Sequence, residues 1–187
     1  MNLAQYDNSR YTPGRPAYIR VLWFAFGLPL LRASWNPFSG MRRLLLGLFG
    51  ARVGQGVVIK PGTRIKYPWM LEVGDHSWIG EDAWIDNLAF IRIGNHVCLS
   101  QGVYLCTGNH DWSDPAFRLN IRPIIIQDGA WVGAKAIICP GVEIGAGAVA
   151  TAGSVITKNL EPFTIYSGNP AHPVRSRNMR SVESIAY

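Results

Sequence analysis

Acidic side chains are scarce in this chain, and cysteines scarcer. Twelve Asp and Glu face eighteen Lys and Arg for a formal charge of +6, and residues 1–52 hold a single acid, Asp7. The three cysteines, Cys98, Cys106 and Cys139, form no C-x-x-C pair. That excludes a complete disulfide framework and a thiolate zinc centre, and it points to a reducing, cytoplasmic compartment. Long hydrophobic runs are missing too. Within the apolar stretch 18–49 the longest uncharged run is Val21 to Leu31, well short of the roughly 20 residues a spanning helix needs. The first seventeen residues are polar and carry no secretory pattern. Charged residues make up only 16% against 48% apolar, so the chain is not disordered, and 187 residues suffice for one domain with a real core.

The position of the charge matters more than its sum. Residues 1–52 carry seven Arg and Asp7 (+6), residues 53–170 carry eight bases and ten acids (−2), and residues 171–187 carry three Arg and Glu183 (+2). The excess belongs to the ends. The N-terminal arginines are embedded in aliphatic and aromatic sequence rather than displayed on a polar stripe, which argues against nucleic acid.

A repeat of six organises the middle of the chain. Aliphatic residues recur at Val53, Ile59 and Ile65; at Val73, Ile79 and Ile85; at Ile93, Leu99 and Leu105; and from Ile126 through Val132, Ile138, Ile144 and Ala150 to Ile156. Four positions after most of them stands a small or β-branched residue. Three positions after them stands Gly, as at Gly56, Gly102, Gly108 and Gly129, or else often His, Asp or Asn. These are the residue types that tolerate positive φ. Each hexad therefore reads as a short strand and a left-handed turn. Such a unit cannot bury its own apolar face, so hexads must wind and stack, three to a triangular coil. Blocks starting at 53, 73, 93, 126 and 144 predict about five coils. By the same token, His76 and His96 are expected to stack as equivalent corners one coil apart, in a structural role. No two histidines are five residues apart, and His172 belongs to no motif.

Several stretches resemble the hexapeptide-repeat acyltransferases, and within them the colanic-acid and related exopolysaccharide acetyltransferases. These are Leu48-Phe49-Gly50-Ala51, Tyr67-Pro68-Trp69, Tyr104-Leu105-Cys106-Thr107-Gly108-Asn109-His110-Asp111, Pro140-Gly141-Val142-Glu143-Ile144-Gly145 and Gly168-Asn169-Pro170-Ala171. The Pro-Gly-Val segment marks only the superfamily, while the stretch ending in His110-Asp111 is more specific. The resemblance implies an all-β, left-handed parallel β-helix, although the general crossover rule favours the opposite hand. It further implies a homotrimer that transfers an acetyl group from acetyl-CoA to a sugar hydroxyl of a polysaccharide precursor, with no metal.

His110 closes the third coil and precedes the one long interruption, Asp111 to Ile125. A long loop leaving a rigid scaffold beside a group that titrates near neutrality is where catalysis concentrates. The resemblance makes His110 the general base, a role that contributes about 10²- to 10⁴-fold. It also implies a donor site. Ala134 and Ala152 match backbone contacts to the pantetheine arm, Thr157 and Lys158 match a pair near the nucleotide phosphates, and Arg175 matches a basic residue at that end. Asp86 and Asn87 resemble acceptor-side positions. Trp112, Phe117 and Arg118 are expected either to pack on a ligand or to anchor the loop.

The expected organisation is an N-terminal helical segment over 1–52, the β-helix over 53–161 with its loop at 111–125, and a C-terminal tail over 162–187. Asn36-Pro37 and Gly50 predict the start and stop of one helix. An earlier helix from about Tyr18 is expected to be disturbed by Gly27 and Pro29. These helices are expected to cap the open end of the solenoid. Trp23, Phe24, Phe26, Leu30, Trp35 and Phe38, with Arg20, Arg32, Arg42 and Arg43 of the same stretch, also suit peripheral contact with an anionic membrane through residues 18–49. A lipid-linked saccharide acceptor would fit such contact. Rival functions are a same-fold enzyme with another acyl donor or an amino-sugar acceptor, and a non-enzymatic β-solenoid scaffold.

Overall fold

The computed structural model describes residues 2–36 and 38–179. Its body is a left-handed parallel β-helix with three faces. On the first face the strands Arg52–Val53, Leu71–Val73, Ile91–Ile93, Ile124–Ile126 and Glu143–Ile144 pair in parallel in that order. The second face runs from Val58–Ile59 to Val149–Ala150 and continues into Thr164–Gly168. The third runs from Arg64–Ile65 to Val155–Ile156. The predicted five coils are therefore followed by part of a sixth. Leu160 bridges to Ile144, Thr164–Gly168 pairs with Val149–Ala150, and Ala171–Ser176 folds back antiparallel on that strand.

The hexad positions line one interior. Ile59, Ile65, Ile79, Ile85, Val132 and Ile138 are fully buried, one above another. Stacking each on its neighbour removes apolar surface that a single coil would leave wet. The turns mostly follow the predicted chemistry, with exceptions at Lys135, Gly108 and Asn159, the last of which is not left-handed. His76 and His96 both adopt left-handed φ and stack at 5.3 Å. Lys135 adopts φ of 57° although it is neither Gly, Asn nor Asp. Gly108 is not left-handed, because the chain there leaves the coil as the first strand of a hairpin.

Helices close the first coil. Helix α1 (Ala17–Leu22) passes through a π-turn, Trp23–Gly27, into α2 (Leu28–Arg32). Pro29 has no N–H to give to Ala25, and the register slips so that Leu28 N–H reaches Trp23 O. Trp23, Gly27 and Leu31 form the buried stripe, and the Trp23 indole donates to Ile65 O at 3.0 Å. Helix α3 (Ser39–Leu48) begins later than expected. Asn36 accepts from Phe38 N in a turn ahead of the helix rather than capping it, and Pro37 lies outside the described residues. Gly50, at φ of 90°, ends it as predicted.

Two residues assigned to the membrane-facing set thus lie inside. One is Trp23; the other is Arg42, only 1% exposed. Its guanidinium donates to Leu31 O at 2.9 Å, Ala33 O at 2.7 Å, Ile59 O at 3.4 Å and Asn36 O. It satisfies the carbonyls at the end of α2, which have no intrahelical partner, and ties them to the second face of the first coil. Removing it would strand several buried acceptors. Arg42→Met is expected to lower the free energy of unfolding in urea by about 3 kcal/mol. Arg52→Ala, which removes an exposed ion pair to Glu72 at 3.5 Å, should change it by less than about 0.5 kcal/mol.

Candidate active site

Successive coils stack their corners into edges, and two of the three edges carry the candidate residues. The edge between the third and first faces holds Asp86–Asn87 in the second coil, Thr107–His110 in the third and Thr157–Lys158 in the fifth. The edge between the second and third faces holds Ala134 and Ala152 in the fourth and fifth coils. Arg175 is on the outer strand of the C-terminal hairpin, opposite Ile165.

At the first of these edges Gly108–His110 pairs antiparallel with Leu119–Ile121, so that Leu119 stands opposite His110. The loop between them is held by local capping. Asp111 accepts from the Ser113 amide and hydroxyl, which hold its carboxyl below the usual carboxylate range. Asp114 pairs with Arg118 at 3.2 Å. Phe117, at φ of 51°, lays its ring flat on the His110 imidazole, with centroids 4.2 Å apart and planes 2° from parallel. The Phe117 carbonyl lies 2.8 Å from His110 Nδ1. A carbonyl only accepts, so Nδ1 carries the proton, and in the neutral ring Nε2 carries the lone pair. The imidazole is thereby fixed in plane and in tautomer with one basic nitrogen free. Among the loop residues, Phe117 therefore positions the histidine, Arg118 anchors the loop, and Trp112 is 86% exposed.

Asp86 and Asn87 differ sharply. Lys66 Nζ approaches Asp86 Oδ1 to 2.9 Å, as an ion pair rather than an aligned hydrogen bond. The Tyr104 hydroxyl donates to Asp86 Oδ2 at 3.3 Å. Burial, with Cys106 and Asp86 nearby, pushes the Tyr104 phenol above its ordinary range and keeps it a donor. Asn87, expected beside the acceptor, is fully buried. Its side chain accepts from Tyr67 N and donates to the carbonyls of Tyr67 and Met70, all in the preceding coil. It is a corner clamp with nothing left to offer a ligand. Thr107 does the same one coil on, donating to Asp86 O at 2.9 Å and accepting from Ala89 N.

On the other edge, Gly153 N donates to Ala134 O at 2.8 Å, which brings Ala134 and Ala152 into register. A Cβ on Gly133 would lie 2.5 Å from Ala152 N, so glycine is what lets the fourth and fifth coils approach this closely at the edge. Lys135, which no sequence motif singled out, adds an exposed cation beside Ala134.

A third component carried no sequence signal. Residues 2–15 strap the His110 edge: Asn2 N donates to Pro115 O, the Tyr6 ring lies 5.7 Å from the imidazole, and Tyr11 OH donates to Leu88 O. Between this arm and the loop is a cleft of about 200 Å³, lined by Asp7, Arg10, Tyr11, Arg118 and Leu119. No group of three or more potential metal ligands occurs among the described residues.

Comparison with known proteins agrees with this architecture. Residues 123–158 match the family model described as the hexapeptide repeat of succinyl-transferase. Over 158 residues the chain is 40% identical to the Escherichia coli K12 protein named colanic acid biosynthesis acetyltransferase WcaF, covering 83% of this chain and 86% of the relative. A hexapeptide-repeat acetyltransferase of Vibrio cholerae, solved with acetyl coenzyme A, superposes with a TM-score of 0.79 at 26% identity over 87% of this chain and 88% of that one. A maltose O-acetyltransferase of Clostridium difficile 630 gives 0.79 at 25% identity over 88% and 90%.

The hydrogen bond to Phe117 O has a direct spectroscopic consequence. Heteronuclear NMR of the His110 ring nitrogens, at a pH where the ring is neutral, should show the proton on Nδ1. A ring protonated on Nε2 would contradict the geometry.

Proposed function

The chain belongs to the hexapeptide-repeat acetyltransferases, and we propose that it O-acetylates a sugar hydroxyl of an exopolysaccharide or other cell-surface polysaccharide precursor, with His110 as general base. The observation that carries this reading is the clamped imidazole, whose free Nε2 stands at the edge of a rigid scaffold. Relatives named as acetyltransferases support the enzyme class over a scaffold, and the Vibrio cholerae complex supports acetyl-CoA as donor. The names colanic acid biosynthesis and maltose O-acetyltransferase support a saccharide acceptor.

Acetyl-CoA supplies the acetyl group as a thioester. His110 Nε2 takes the proton of the acceptor hydroxyl as its oxygen attacks the thioester carbonyl, and returns that proton to the departing sulfur. Direct transfer is favoured over an acyl-enzyme, since the nearby Cys106 thiol is engaged by Gly108 O at 3.0 Å. Backbone groups at Ala134 and Ala152 would hold the donor's arm, while Thr157, Lys158 and Arg175 would meet its phosphates. Asp86 would bind the acceptor, with Asn87 fixing the corner that carries it.

Thr157 and Lys158 share the His110 edge, but Ala134 and Ala152 lie on the opposite edge of the third face, so one chain does not bring the base and the donor's arm together. A homotrimer does so if one subunit's His110 edge meets its neighbour's Ala134 edge. The proposed setting is the cytoplasm, with residues 18–49 in contact with a membrane surface; among the described residues no helix is long and apolar enough to cross one.

His110→Ala should remain folded, keep its thermal stabilisation by acetyl-CoA and lose at least about a hundredfold in acetyl transfer. Near-normal turnover would remove His110 from the mechanism. The shared site has its own test. His110→Ala and Ala152→Trp, each inactive alone, should regain activity when unfolded, mixed and refolded together. Absence of complementation would place the whole site within one chain.

A further inference from the structure

We infer that the outer surface of the helical cap is a docking face for an anionic lipid bilayer, which presents the acceptor to the His110 edge. Presentation of the acceptor rests on the proposed chemistry at His110; the docking face makes specific the membrane contact proposed for residues 18–49 and stands on the surface residues of the cap alone.

A helix that packs on a protein core usually turns a polar face to water. Here the segment 17–32 buries its Trp23, Gly27 and Leu31 stripe and still leaves Tyr18, Val21, Leu22, Phe26 and Leu30 exposed on its other sides. Helix α3 adds Met41, Leu44 and Leu48, and the connection between the helices adds Trp35 and Phe38, 72% and 67% exposed. An apolar surface of this extent on one end of a small domain is a contact site rather than ordinary exposure.

Charge identifies the occupant. From residue 8 to residue 71 the chain contains ten Lys and Arg and no Asp or Glu. Among the described residues, no arginine of the cap forms an ion pair. Arg15 and Arg32 are exposed, while Arg20 and Arg43 are half-buried, their Nε atoms covered and without hydrogen-bond partners. A second copy of this face would bring arginine against arginine with no acid between them. A bilayer rich in anionic headgroups meets both demands: aromatic and aliphatic groups enter the interface while guanidinium groups meet phosphate.

The face also leads somewhere. Phe24 and Leu28 of the cap line a groove of about 210 Å³ whose far wall is Arg64, Lys66, Trp84 and Asp86. The Arg64 guanidinium lies 4.8 Å over the Trp84 ring, which stacks on Tyr104 at 4.5 Å. The groove thus passes from apolar at the cap to charged and aromatic at Asp86, on the same edge as His110. A saccharide anchored in the bilayer would lie along it with its inner end at Asp86, one coil before His110 on the same edge.

The full-length protein should float with phosphatidylcholine vesicles containing phosphatidylglycerol and not with phosphatidylcholine alone, and salt should weaken the binding. Phe26→Ser with Leu30→Ser, and separately Arg15→Gln with Arg32→Gln, should each reduce vesicle binding by about tenfold or more while thermal unfolding stays unchanged. His110→Ala should bind vesicles like the wild type, which keeps this test independent of the chemistry. Three outcomes overturn the inference: equal flotation with neutral vesicles, no flotation at all, or a shift from oligomer to monomer on gel filtration of the Phe26→Ser, Leu30→Ser variant. The last would make the face an interface between copies.

Discussion

Everything in this molecule depends on parallel stacking of strands only two or three residues long. Such a strand cannot stand alone: its amides find their partners in the coils before and after, as Trp78 N does at Val97 O and Trp84 N at Val103 O. The aliphatic side chain at each hexad position is sealed by the one above it. Stability is therefore nearest-neighbour and additive along the axis, and it fails at the two ends, where a layer of apolar side chains and a row of backbone groups have no next coil. The two ends are closed differently. The C-terminal end gains a partial sixth coil, with Leu160 and Tyr166 over the core and the Tyr166 hydroxyl accepting from Glu161 N. The N-terminal end is closed by helices, which cover the apolar layer with side chains and meet first-coil backbone groups individually, with Ser39 and Arg42 at Ile59, the Trp23 indole at Ile65 O and the Arg32 carbonyl at Gly62 N.

Stacking also decides where chemistry can sit. Inward positions are taken by the core and the flat faces by pairing, so only corners tolerate insertion. The edge between the third and first faces takes all the longer insertions, at 66–70, 87–90 and 107–123. Each inserted corner needs polar side chains to replace lost coil contacts, which explains why Asn87 and Thr107 are buried there. His110 lies where the corner opens into a hairpin, and the hairpin returns a carbonyl to its Nδ1. A rigid scaffold thus delivers an oriented imidazole without a carboxylate partner.

The hexads were legible because a period of six imposes composition at every coil, and His76 and His96 could be matched as corners before any coordinates. Gly108 and Asn87 were misread for one reason. Both stand where the period breaks, and a broken period carries no information about which side chain turns inward. Lys135 shows the converse, since the scaffold holds a left-handed corner there against the residue's own preference. The arm over residues 2–15 had no period at all. Its contacts, such as Trp69 Nε1 to Pro13 O at 2.6 Å, join residues far apart in sequence, and nothing local announces them.

The helical cap makes the limit of composition plainest. Arg42 and Arg43 are adjacent, in one helix and with the same neighbours in sequence. Arg42 points into the end of the solenoid and is consumed by carbonyls of Leu31, Ala33 and Ile59. Arg43 finds no such partner. Neighbours along a helix are about 100° apart, so one turn of sequence distributes the same residue type between a buried structural clamp and a half-buried charge that no carbonyl consumes. Trp23 and Phe24 divide in the same way, one donating its indole N–H to Ile65 O inside the cap and the other opening onto the groove toward Asp86. A segment that reads as uniformly greasy and basic is thus two surfaces back to back. The inner one completes the solenoid, and because that job needs only one stripe of the helices, the remaining apolar and basic residues are left for a second role.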